Sequence, residues 1–72
     1  PIVSLAQQGN QVYLSAEKPM YSAEWLDMQG RIVEVISLHN STNHSLTLPG
    51  AGMHILKVQT YEGYWIGKVM RH

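Results

Sequence analysis

The 72-residue chain contains no cysteine, so neither a disulfide nor a thiolate metal centre supports its core. It also lacks an excess of charge: five Lys and Arg balance five Asp and Glu. Nucleic-acid binders show a basic excess or stripe, so nucleic acid is not an expected partner. No run of about 18 apolar residues is present to span a membrane as a helix, and no basic-then-apolar leader opens the chain. The chain starts at Pro1 without an initiator methionine, which predicts a piece of a longer protein. No segment shows the 3.6-residue period of an amphipathic helix, and no internal repeat or low-complexity stretch occurs. Catalytic signatures are missing too: there is no Gly-x-Ser-x-Gly elbow and no glycine-rich phosphate loop. A domain of this length has little room for a pocket of several hundred Å³. The expectation is a module that is not an enzyme and uses no cofactor. The four histidines, His39, His44, His54 and His72, stand five, ten and eighteen residues apart. That spacing matches no compact ligand motif, so no metal site is expected.

What the chain does contain is short apolar runs punctuated by turn signals. Val12, Leu14 and Ala16 alternate with Gln11, Tyr13 and Ser15, the pattern of a half-buried strand. Lys18-Pro19 interrupts it: proline cannot donate to a ladder, so this is a break or an edge. Met20 to Met28 reads as a further strand with Trp25 as core anchor. Met28-Gln29-Gly30-Arg31 reads as a turn in which Gly30 takes positive φ, and Arg31 to Ile36 as the returning strand. Ser37 to Asn43 is polar and reads as a loop, Ser45 to Leu48 as a short strand, and Pro49-Gly50-Ala51-Gly52 as a tight connection. With Ile2 to Ala6 in front and a hairpin behind, about seven short strands result, roughly ten residues apart. Such spacing predicts an all-β fold, an antiparallel β-sandwich or, as the competing architecture, a small barrel. Residues 1–72 form one domain. At this size only about 60 % of the unfolded surface is buried, and net stability is expected at roughly 4–10 kcal/mol.

The C-terminal hairpin is the most informative segment. Met53 to Thr60 forms one arm, Tyr-Glu-Gly the turn, and Tyr64 to Arg71 the other arm, running almost to the last residue. Most domains end in a frayed polar tail. A part-basic strand with unpaired backbone groups is a handle that adds to a partner's sheet edge, with Lys68 and Arg71 steering the encounter. The same edge invites pairing between copies, so a strand-mediated homodimer is expected. The competing reading makes Trp65 and Val69 core and Lys68 and Arg71 ordinary solvated charges. Tyr61, Tyr64 and Trp65 cluster around the hairpin turn, and a flat exposed row of them would stack on sugar rings. Routine cross-strand packing is the alternative.

Met20 to Val33 (Met-Tyr-Ser-Ala-Glu-Trp-Leu-Asp-Met-Gln-Gly-Arg-Ile-Val) resembles the C-terminal sorting domain of type IX secretion in Bacteroidetes, also called the Por secretion system sorting domain. In that family a strand ends in an aromatic-Asp-x-x-Gly-Arg/Lys turn followed by two apolar residues. A Leu-x-x-Gly turn, a Gly-x-Tyr-apolar-apolar-basic-apolar strand and a Lys-Val-Val-Lys-like end come later. Asp27, Gly30 and Arg31 match the first turn. Leu48, Pro49, Gly50 and Gly52 fit the second, with extra residues. Gly52, Ile55, Leu56, Lys57 and Val58 fit the next strand, and Lys68, Val69, Met70 and Arg71 the end. The departures are Leu26 before the aspartate, His54 in place of tyrosine, and His72 beyond the basic end. No single motif is specific; the ordered set, over nearly the whole chain, carries the resemblance.

The resemblance implies an immunoglobulin-like fold and a sorting role. Family members reach the periplasm behind an ordinary leader and are recognised through this domain by an outer-membrane translocon and its shuttle proteins. At the cell surface a sortase-like protease usually removes the domain, and attachment machinery joins the N-terminal passenger to anionic lipopolysaccharide. Localisation would be periplasmic in transit, then outer membrane, cell surface or extracellular. Lys68, Val69, Met70 and Arg71 are the residues expected to meet the translocon. A carbohydrate-binding or adhesion module of a surface protein is the rival expectation, and a purely structural terminal domain capping its passenger a third.

Overall fold

The computed structural model describes residues 2–71. Five antiparallel strands follow one another: β1 (Val3–Gln8), β2 (Gln11–Leu26), β3 (Ile32–Thr47), β4 (Gly52–Thr60) and β5 (Gly63–Arg71). They form one sheet in the order β1-β2-β4-β5, with β3 also paired to β2. The all-β expectation holds. The number of strands differs: the alternating segment and the Met20 segment fuse into β2, and the segments on either side of the polar run fuse into β3.

Two strands of 16 residues force the sheet to curl. Extended, each would run about 50 Å, while the longest dimension of the molecule is 30 Å. β2 bends around Lys18-Pro19, where its register with β3 shifts between Ser15 and Met20. β3 bends at His39 and Asn40, which sit at φ 53° and 55°. Asparagine is among the residues that best tolerate this left-handed region. The Ser41 hydroxyl donates to the Leu38 carbonyl at 2.7 Å, and Leu38 itself is fully buried. The polar run expected as a loop is therefore a strand with a corner in it. Its side chains can be polar because, where it pairs, β3 has β2 on one edge and no strand on the other among the described residues.

Curling divides the work of β2. Its first half lies between β1 and the end of β3, with Leu14 opposite Leu5 and His44. Its second half lies between the start of β3 and β4, with Ala23 opposite Ile36 and Val58. The concave faces of both halves bury Val3, Val12, Leu14, Met20, Ala23, Trp25, Leu38, Leu46, Leu48, Leu56, Val58 and Val69 as one core. Trp25 is 0 % exposed, as its mid-strand position predicts. Backbone Leu48 N donates to Asn10 O at 2.9 Å and ties the end of β3 to the β1–β2 turn.

Candidate functional site

The Asp27–Arg31 turn folds into a clip. Asp27 N donates to Arg31 O (2.9 Å) and Gly30 N to Asp27 O (3.0 Å), a three-residue hairpin loop closed by a residue in the left-handed region. Gly30 fills that position at φ 85°, where a side chain would be strained. The Asp27 carboxylate accepts from the backbone N–H groups of Gln29 and Arg31, both at 2.9 Å, and from Arg31 Nε at 2.8 Å. The spacing Asp-x-x-Gly-Arg is thus explained locally: the acid satisfies the turn, the glycine reverses it, and the arginine locks the acid. Arg31 pairs with Asp27 through Nε, while its side chain stays 77 % exposed.

The Arg31 backbone N–H, then the Arg31 guanidinium and the Gln29 N–H, hold the Asp27 carboxyl below the usual range against the opposing effect of desolvation. A carboxyl depressed in the folded state stabilises above its ordinary pKa, and that contribution fades as pH falls through the folded value. Asp27→Asn is therefore expected to lower the urea midpoint at neutral pH and to narrow the midpoint difference between neutral and acidic solution. Parallel urea titrations at the two pH values check it; an unchanged pH dependence would show that the clip does not link to stability.

Gly52 opens β4 at φ 91°, so its place in the family pattern coincides with a backbone requirement. The β4–β5 turn is held by Thr60, whose hydroxyl donates to Gly63 O (3.0 Å) and accepts from Glu62 N (3.1 Å).

Among the described residues the terminal strand is an edge: β5 pairs with β4 alone, from Gly52↔Arg71 to Thr60↔Gly63. Of the four residues expected to meet a receptor, Val69 points inward and is 2 % exposed. Lys68 and Met70 alternate with it onto the convex face, and Arg71, half-buried, lies opposite Gly52. Sequence reasoning missed Gln7. Its side-chain amide donates to Met70 O at 2.6 Å, so β1 latches the end of β5 from 63 residues away. Nothing local in either segment signals that contact.

The three aromatics of the hairpin do not form one platform. Tyr64 and Trp65 are successive in β5 and take opposite faces. Trp65 packs on the core, and Lys57 Nζ sits 4.8 Å from the Tyr64 ring centroid. Tyr61 meets Tyr21 edge-on with centroids 4.3 Å apart; burial first, then Tyr61, pushes the Tyr21 phenol up to about 12. A shallow hollow of about 220 Å³ lies elsewhere, between Tyr13 and Asn43 over Ser4, Ala6 and Ser15. The three described histidines stand apart, at the β3 corner, opposite Leu14 and beside Trp25; His72 lies outside the described residues. No group of three metal-ligating side chains forms among the described residues. Comparison of the chain with protein-family models and with curated proteins found no match to either.

Proposed function

We propose that this chain is a C-terminal sorting domain of the type IX secretion family, an immunoglobulin-like β-sandwich that directs a passenger through the outer-membrane translocon. It works by docking, without enzymatic chemistry or a cofactor. The observation that carries the reading is the ordered motif set of the family, residue by residue from Asp27 to Arg71. Three structural features support it. The Asp27–Arg31 clip gives the first motif a physical reason. The positive φ of Gly52 gives the second motif one. The terminal strand offers an open edge with Lys68 and Met70 outward. Two curled halves enclosing one core are the basis for the sandwich. In this reading the backbone of β5 adds to a receptor's sheet edge, Lys68 and Arg71 steer it, and Val69 holds the strand in place from within. After passage, the surface protease and attachment machinery act on the fusion.

The test keeps Val69, because deleting the last residues would remove part of the core. The chain is fused behind a periplasm-targeted reporter in a type IX-competent bacterium, intact and as the Lys68→Glu/Arg71→Glu variant, with folding checked by circular dichroism. The intact fusion is expected at the surface and the folded variant about tenfold less. If both arrive equally, the charged ends of β5 are not the signal. If neither leaves the periplasm, the sorting reading fails and an adhesion or sugar-binding module, with Tyr13 and its hollow as the site, replaces it.

A further inference from the structure

The convex face of β3, β2, β4 and β5 is patterned for a second copy of itself. Cross-strand pairing sets Val35 beside Glu24, Glu24 beside Lys57, and Lys57 beside Ile66. These four share the convex face, because the residues that alternate with them, Ala23, Trp25, Leu56 and Val58, are all 0 % exposed on the concave one. One row therefore reads apolar, acid, base, apolar across four strands. The next row reads Ile32, Leu26, Ile55 and Lys68, so its β5 end carries a charge. Val35, Ile32 and Ile66 are 61 %, 58 % and 53 % exposed, apolar flanks on either side of the two central charges. Among the described residues Glu24 makes no ion pair, and Lys57 leans over Tyr64 instead.

We infer that two copies stack these faces about a two-fold axis parallel to the strands, above the seam between β2 and β4. Such an axis exchanges left and right across the sheet. Glu24 then lies opposite Lys57 of the second copy, and Lys57 opposite its Glu24. Val35 lies opposite Ile66, and Leu26 opposite Ile55, each pair occurring twice. The row is its own complement under this operation, as an isologous interface requires. Charges at its centre fix the register and the apolar flanks supply the burial. Four strands about 4.8 Å apart and two rows about 7 Å apart make a face of roughly 270 Å². That is small for a specific interface, so the dimer is weak and forms at high concentration. The contact leaves the open backbone edge of β5 free and differs from edge-to-edge strand pairing. It does not depend on the secretory reading.

Sedimentation equilibrium over a wide concentration range tests it, with circular dichroism on every variant. The wild type is expected to dimerise reversibly. Glu24→Lys and Lys57→Glu are each expected to weaken the dimer about tenfold or more, because like charges then face each other. The double exchange is expected to restore most of the affinity, the signature of a direct pair. Val35→Glu, at an exposed flank, is expected to dissociate it without disturbing the monomer. A chain that stays monomeric overturns the inference. So does a dimer indifferent to all three single variants, which would place the contact on a strand edge, or a folded double exchange that fails to recover.

Discussion

Trp25→Ala is expected to cost about 3–5 kcal/mol, a large share of the roughly 4–10 kcal/mol available to a chain of this length. The thermal midpoint should fall by roughly 20 °C or more, and part of the population should be unfolded at room temperature. The reason is position. Trp25 lies between Glu34 on β3 and Leu56 on β4, is fully buried, and has the His54 ring edge-on at a centroid distance of 6.3 Å. Alanine leaves a void that four strands would have to collapse to fill. Trp25→Phe separates volume from polarity. The indole Nε1 and His54 Nδ1 are both buried without a hydrogen-bond partner among the described residues, and an orphaned buried group costs about 1–3 kcal/mol. Phenylalanine gives up some packing but removes one orphan, so its cost is expected to be about 1 kcal/mol or less. Chemical denaturation of both variants gives the comparison. Equal losses would mean that the indole N–H finds a partner, such as a bridging water, that stabilises it.

The parts of this fold that were legible in the sequence are those decided by neighbours in the chain. Asp27, Gly30 and Arg31 interact within five residues, so their turn could be read directly. The same is true of Tyr61 to Gly63 and of the alternation around Val12 and Leu14. The parts that were not legible depend on what lies across the sheet. Ser37 to Asn43 has only Leu38 as an apolar residue, and nothing in it says that β2 supplies the hydrogen bonds that make it a strand. Pro19 interrupts the alternation in the sequence, yet the chain continues in the same sheet after a change of register, because a bent strand can place one proline where no ladder bond is required. The candidate site divides the same way. That the last strand is an edge agrees with its terminal place in the sequence. That Val69 is core and Met70 outward follows only once the strand's phase is fixed by β4. Gln7 at Met70, and Glu24 beside Lys57, are products of curl and register.

In the proposed docking role the terminal strand is a handle. β5 must be held well enough to present one edge, yet its anchors are few: Val69 in the core, Trp65 against it, the Gln7 latch at its end, and the ladder to β4. In that role, binding would draw on the outward positions of the strand and folding on the inward ones.

Gly67→Ala tests the weakest of these anchors. Gly67 has no left-handed backbone to explain it; its role is to leave space. A Cβ at this position would run into Cη2 of Trp65 and lie 2.9 Å from Cζ2 and 3.1 Å from Cζ3, so the far end of the indole covers the glycine of its own strand. An aromatic covering a glycine on an edge strand offsets what the missing side chain costs the sheet. Alanine pushes the ring away. Trp65 packs on the core and lies across the ladder from Val58, so displacing the ring disturbs that packing. The expected loss is about 1–3 kcal/mol, although alanine in a strand would otherwise be favoured over glycine. In a Trp25→Phe background Trp65 is the only tryptophan, and its emission should shift to the red as the ring enters water. Amide exchange should quicken along β4 and β5 while the Asp27–Arg31 turn keeps its protection, since the two share no contact through the indole. An unshifted emission with an unchanged denaturation midpoint would show that the ring does not rest on Gly67, and β5 would then depend on Val69 and the ladder alone.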